Sequence, residues 1–249
     1  MKPNVLARIA MSSLFLIVGT SHADESGELS IGLAYIGGGS IYLGDKSKSA
    51  IMPSISYKSD TLSVSFQEGL AYKFFDGEKL ELSSAIVPKG RPYNSADSTD
   101  LAGMTRDMYF DGSLNGSYEI SRGLTAKFKF ATELTNKFNG HSLDLSVSQF
   151  MPVFGQPFVF QAGAKWLGNK RANYLCGVNA DEVTGQRAQY APGSVIVPYV
   201  SSNTFYSLSE QTSLFANVNV SLLPSNVVDS PIVDRNNSVT TVLGINYSF

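Results

Sequence analysis

One cysteine and two histidines hold nearly all the nucleophilic and metal-ligating potential of this 249-residue chain. His141 stands next to Ser142, with Asp144 and Glu133 close in sequence, and these are the residue types of a serine hydrolase triad. Neighbouring residues of a strand point to opposite faces, so on the strand expected there His141 and Ser142 do not meet. His22 falls in a segment read below as removed. Cys176 is alone, which rules out an intrachain disulfide and a cysteine-built zinc or iron–sulfur site. No glycine-rich phosphate loop or metal-ligand cluster is visible, and no cofactor is expected. Basic and acidic residues nearly cancel, 19 against 21, so there is no positive field for nucleic acid. The chemistry-bearing residues do not add up to an enzyme.

Charged residues make up only 16% of the chain, against roughly 25% in typical soluble domains. Residues 1–23 follow the order of a secretory signal: Lys2 and Arg8, an apolar stretch over 9–19, then Ser21-His22-Ala23. Cleavage is expected between Ala23 and Asp24. Loss of Lys2 and Arg8 takes the 19 basic residues to 17 against 21 acidic ones, a net charge of −4. The remaining residues, 24–249, read as one domain, with no apolar run of the roughly 18 residues that a membrane-spanning helix needs.

The elements that must position any functional residue are strands. Over 212–222, Leu214, Ala216, Val218, Val220 and Leu222 share one face against Ser213, Phe215, Asn217, Asn219 and Ser221. The same period of two runs through 108–120, 124–135 and 238–249, which is the strand signature. The polar face is mostly Ser, Thr, Asn and Gly rather than Lys and Glu. That suits a membrane barrel, with lipid on the apolar face and water in the lumen, better than a soluble sandwich. Aromatics near strand ends (Tyr72, Phe74, Phe75, Phe138, Phe150, Phe154, Tyr206, Tyr247 and Phe249) are expected to form its interfacial girdles.

Strands are predicted at 28–36, 50–58, 61–67, 69–74, 78–88, 107–120, 123–135, 141–152, 157–168, 191–206, 212–222 and 237–249. Short connections between them read as periplasmic turns. The longer ones, 37–49, 89–106, 169–190 and 223–236, read as extracellular loops. Residues 61–74 could form one strand, but Glu68 would then face lipid between Phe66 and Leu70. Splitting at Gln67-Glu68-Gly69 avoids that cost and gives an even number. The expected fold is therefore all-β: a single antiparallel transmembrane barrel of 12 strands, with 10 as the alternative and both termini periplasmic. Inward positions carry Lys58, Lys73, Lys79, Lys127, Lys129 and Lys165 against Glu81, Asp111, Glu119, Glu133 and Asp144. Such balance predicts internal salt-bridge networks.

Leu243, Ile245, Tyr247 and Phe249 share the apolar face of the closing strand. This resembles the aromatic-ended last strand of bacterial outer-membrane barrels, which the assembly machinery reads as a signal. Further motifs resemble the MipA/OmpV family. Asp229-Ser230-Pro231-Ile232-Val233 looks like its most recognisable loop motif, and Gly244 to Phe249 fits its closing Gly-x-x-Tyr-x-Phe. Tyr190-Ala191-Pro192-Gly193 matches its Tyr-x-Pro-Gly entry to the tenth strand, Gly90-Arg91 and Leu101-Ala102-Gly103-Met104 fit weaker signals, and Cys176-Gly177-Val178 stands where the family usually has aromatic-Gly-Val. Pro231 also makes physical sense alone, since it fixes its own φ and biases Ser230 to extended backbone. The resemblance implies an outer-membrane protein, surrounded by lipid and lipopolysaccharide, that acts as a scaffold. Its partners would be a murein-cleaving lytic transglycosylase and a bifunctional murein synthase. A small-solute diffusion channel and a surface adhesin using loops 89–106 and 169–190 are the alternatives.

Overall fold

The computed structural model describes residues 27–45, 49–66 and 68–249; the segment 1–23 expected to be a signal, with its Ala23–Asp24 junction, lies outside the described residues. Twelve antiparallel strands close into a barrel, each pairing with its sequence neighbours and the first with the last. They are β1 (Glu28–Gly38), β2 (Ala50–Lys58), β3 (Leu62–Ser65), β4 (Gly69–Asp76), β5 (Leu80–Lys89) and β6 (Tyr109–Ser121), followed by β7 (Leu124–Glu133), β8 (His141–Val153), β9 (Gln156–Leu167), β10 (Val195–Ser207), β11 (Thr212–Leu222) and β12 (Asn237–Ser248). No helix among the described residues is long and apolar enough to cross a membrane; the strands do the crossing.

The alternation read in the sequence is the wall of this barrel. Leu33, Leu145, Val200 and Leu243 stand on the outer surface with about half of their area bare. Ser113, Ser142, Ser146 and Ser148 are buried on the inner face. Across the closing pair, Leu33 lies opposite Ile245 and Ile31 opposite Tyr247, so apolar rows meet outside and polar rows meet inside. Gly244 belongs to that pair for a packing reason. A Cβ there would lie 2.2 Å from the ring of the inward Phe215.

Residues 61–74 do split into two strands. β3 and β4 pair from Leu62–Tyr72 to Ser65–Gly69, and Gly69 ends the turn with φ +72, a conformation L side chains rarely adopt. Glu68 is thereby kept off the lipid face and lines the lumen. The hairpin is short, four residues on the β3 side.

Three expectations need correction. The loop expected at 169–190 contains a helix, α1 (Asn169–Cys176), and the last loop a single turn, α2 (Ser225–Val228). β10 starts at Val195 rather than 191, because Tyr190 instead bridges to Val178. Phe138 is not a girdle aromatic: its ring stacks on Tyr174 at 4.2 Å and meets Tyr109 edge-on at 5.0 Å, inside the mouth.

Candidate functional site

The four long loops leave the same end of the barrel and fold together as a cap over its mouth. Tyr42, Tyr93, Leu101, Met104, Val178 and Ile232, drawn from all four, form one buried apolar cluster. A second cluster joins Ala172 and Cys176 of α1 to Val195 and Val227. Backbone bonds lock the first loop to the last: Leu43 N–H donates to Ile232 O at 2.9 Å and Asp234 N–H to Ile41 O at 2.8 Å. Ser230 is buried, and its hydroxyl donates to Cys176 O at 2.6 Å. Pro231 directs the chain from that bond into the cluster at Ile232, while Asp229 is exposed at the end of α2.

Three buried arginines tie the cap together. Arg106 donates to both carboxylate oxygens of Glu182, to Tyr174 O at 2.7 Å and to Gly177 O at 3.2 Å. Arg187 reaches Asp100 O at 2.6 Å, Ala102 O at 3.0 Å and Glu182 O at 2.7 Å. Arg171, on α1, points down into the barrel and grips Asp111 of β6 with two bonds of 2.9 and 2.6 Å. A planar, permanently charged fork suits such buried bidentate pairs better than lysine does. Burial alone would raise the Glu182 pKa. The Arg106 hydrogen bonds, the Asn179 N–H and the two arginine charges outweigh it, and hold the carboxyl below its ordinary range. Burial pushes the Cys176 thiol up to about 12, so it is an unreactive core group.

Below the cap lies a lumen cavity of about 560 Å³ whose lining includes Lys58, Lys73, Glu81, Lys127, Lys129 and Asp144. Asp144 accepts from Tyr199 Oη at 2.8 Å and pairs with Lys165 at 3.7 Å. The expected charge balance is altered, however. Asp111 is taken by Arg171, and Glu133 accepts backbone N–H groups from Thr135, Phe138 and Asn139 at the rim. Among the described residues, Lys89, Lys127 and Lys129 have no carboxylate within 4.0 Å.

His141 and Ser142 lie on opposite faces. His141 stacks on Phe130 and bonds Thr132 on the outside, while Ser142 is buried inward. Among the described residues, no three His, Cys, Asp or Glu side chains are grouped to hold a metal. Leu243, Ile245, Tyr247 and Phe249 all face outward, and the Tyr247 and Phe249 rings meet edge-on at 5.0 Å.

Residues of the loop motifs, Leu101, Met104, Val178, Tyr190 and Ile232, thus meet in the cap, whereas the closing Gly244–Phe249 motif runs along the end of β12. A family model described as "MltA-interacting protein MipA" matches residues 31–249. The chain belongs to the MipA family. A chain named YiaT from Escherichia coli (strain K12) is 30% identical over 225 residues, which cover 89% of this chain and 91% of that one. The outer membrane protein OmpV of Vibrio cholerae is 24% identical, over 82% of this chain and 80% of its own. Among solved structures, the COG4313 outer membrane channel of Pseudomonas putida F1 is similar over 90% of this chain and 95% of its own, with 9% identity and a TM-score of 0.46. This MipA-family barrel is an outer-membrane protein, with the cap outside and the short turns in the periplasm.

Sequence reasoning named Ser230 and Cys176 but missed Arg106, Arg171, Glu182 and Arg187. One signal was available. The inward strand positions use lysine, whereas Arg91, Arg106, Arg171, Arg187 and Arg235 all fall in the long loops.

Proposed function

We propose that this MipA-family barrel is a non-enzymatic docking scaffold that holds murein enzymes against the inner surface of the outer membrane. The enzymes would be a lytic transglycosylase and a bifunctional murein synthase. The family's description supports the first of these partners. The observation that carries the reading is Phe154. It sits at the tip of the β8–β9 periplasmic turn with φ +51, beside Gly155 at φ +77, and its side chain is 99% exposed. Two-residue turns with both φ positive favour Asn, Asp and Gly. A phenylalanine held there costs on the order of 1 kcal/mol in backbone strain and gains no packing within the chain. Such a bare aromatic at a turn tip has the form of a docking knob.

The test is affinity capture from detergent-solubilised envelopes. Wild type should enrich murein enzymes over an unrelated barrel, and Phe154→Asn, which suits the turn better, should lose that enrichment while remaining folded. Equal recovery with the unrelated barrel ends the reading. The polar lumen favours a second one, a conduit for small solutes. Planar-bilayer recording decides it, because refolded protein without conductance above background is not a conduit.

A further inference from the structure

The barrel is closed as a sheet, yet its wall has a notch. β3 pairs with β2 only from Lys58 up to Ser56, so residues 50–55 have no neighbour among the described residues on that side. At about 3.4 Å per residue, this leaves roughly 20 Å of strand unpaired. Beyond the short hairpin, β4 pairs with β5 only up to Ile86, with Gly69 against Ile86 O and Val87 Cα, so Pro88 and Lys89 lack a neighbour among the described residues on the β4 side. The two free edges face each other above the β3–β4 turn, on the outer half of the membrane.

The backbone is built for those edges. Ser59 N–H donates to Leu62 O at 2.8 Å, so the odd residues of β2 turn their polar groups toward β3. Gly77 N–H donates to Leu80 O at 2.9 Å and Glu119 N–H to Lys79 O at 2.8 Å, so the even residues of β5 face β4. Pro53 and Pro88 therefore both present their missing N–H to the notch. Lipid cannot satisfy the backbone groups that remain, and among the described residues no other backbone group bonds residues 50–55 or 86–89 outside the ladders. The upper edge of β10 differs. Beyond its last pair with β11, Tyr199–Ser221, it is covered: α2 packs Val227 on Val195, and Asn226 bonds Pro192 O and Ser194 O. Ile51, beside the notch, is 75% exposed, more than any other large apolar residue within a strand. On the inside, the lumen cavity reaches Glu68 and Ala85 at the notch floor.

We propose that this notch is a lateral portal through which a single-chain amphiphile with an anionic head passes between the outer leaflet and the lumen. The tail lies along Ile51, Pro53 and Ile55. The head meets Lys89 on the inner lip and Lys129 beyond it, neither of which has a carboxylate within 4.0 Å among the described residues. Asp144, the cross-strand neighbour of Lys129, is already engaged by Lys165. Water admitted from the lumen satisfies the free backbone edges, which lipid alone would not. The portal is independent of the docking role proposed above.

Two measurements on the full-length barrel in nanodiscs test it. In a Trp166→Phe background, a tryptophan reporter is placed by Ser54→Trp or Met52→Trp at inward positions beside the notch. Asn217→Trp, inward within a complete ladder, is the control. Lipids brominated on the acyl chain should quench the notch reporters several-fold more than the control. An 11-(dansylamino)undecanoate probe should bind saturably, and Lys129→Gln should weaken it roughly tenfold, as loss of one hydrogen bond to a charge implies. Heat-modifiable migration shows that each variant is folded. Equal quenching at the notch and control positions, or probe binding that is absent or indifferent to Lys129→Gln, overturns the proposal.

Discussion

Replacing Arg106 by methionine should open the cap and leave the barrel intact. Arg106 is 5% exposed, and its guanidinium bonds Glu182, Tyr174 O, Gly177 O and Thr105 O. Methionine retains most of the apolar stem, so the loss is the charge and its bonds. Glu182 is left buried with the Asn179 N–H at 2.8 Å as its remaining close donor. Removing one partner of a buried ion pair costs about 3–5 kcal/mol, more than the pair itself contributes, because the other charge is stranded. At about 1.4 kcal/mol per decade the cap opens roughly 10²-fold to a few thousand-fold more often. Amide exchange reads this directly. Val178 and Tyr190 donate to each other's carbonyls at 2.8 and 3.0 Å within the cap, so their exchange should accelerate by that factor. Peptides from β11 should not change, since its ladders involve no cap residue. Adding Glu182→Gln should recover part of the protection, because the carboxylate stranded by the first substitution is removed. A folded Arg106→Met barrel whose Val178 and Tyr190 exchange at the wild-type rate would refute the reasoning.

Acid should loosen the cap through the same pair. A depressed carboxyl contributes stability that is complete above its unfolded value of 4.5 and lost as pH falls through the folded value, so Val178 protection should hold from pH 7 to about 5 and fall below 4.5. Cys176, with its thiol pushed up to about 12 and buried, should resist maleimide at pH 8 in wild type and label once Arg106→Met opens the cap. Phe249→Asp should impair outer-membrane insertion in fractionation experiments while costing the finished barrel only about 0–1 kcal/mol, because an interfacial charge is cheap. Normal insertion of that variant would remove Phe249 as an assembly signal.

The strands were legible because lipid and water impose opposite demands on alternate residues all along each one. β2 and β11 coincide with the expected 50–58 and 212–222, and the split near Glu68 followed from the cost of a carboxylate facing lipid. The cap was not legible. Its ion pairs join residues 60 and 76 positions apart, Asp111 with Arg171 and Arg106 with Glu182, and no local period marks them. α1 is eight residues long and mostly polar, too short for a helical stripe to stand out. Phe138 misled because an aromatic near a strand end serves a lipid interface or a loop core equally well, and position along the strand does not separate the two.

The prolines carried information that periodicity could not. Five lie within strands: Pro53, Pro88, Pro152, Pro157 and Pro198. In a barrel with every ladder complete, each would leave a carbonyl without its donor. Every one instead faces a side where pairing has stopped. Phe150 N–H donates to Gly123 O, so Pro152 faces β7 beyond its last pair, Leu124–Gln149. Gly168 N–H donates to His141 O, so Pro157 faces β10 beyond Thr204–Phe158. Leu208 N–H donates to Thr212 O, which turns Pro198 toward β11 beyond Tyr199–Ser221. Pro152 and Pro157 lie at the periplasmic rim, where ladders end in any case, and Pro198 lies under the cap. Only Pro53 and Pro88 fall where the wall itself is interrupted, and they do so from both sides. A proline in the middle of a nine-residue strand such as β2 therefore marks, in the sequence alone, a place where the neighbouring strand is too short to reach.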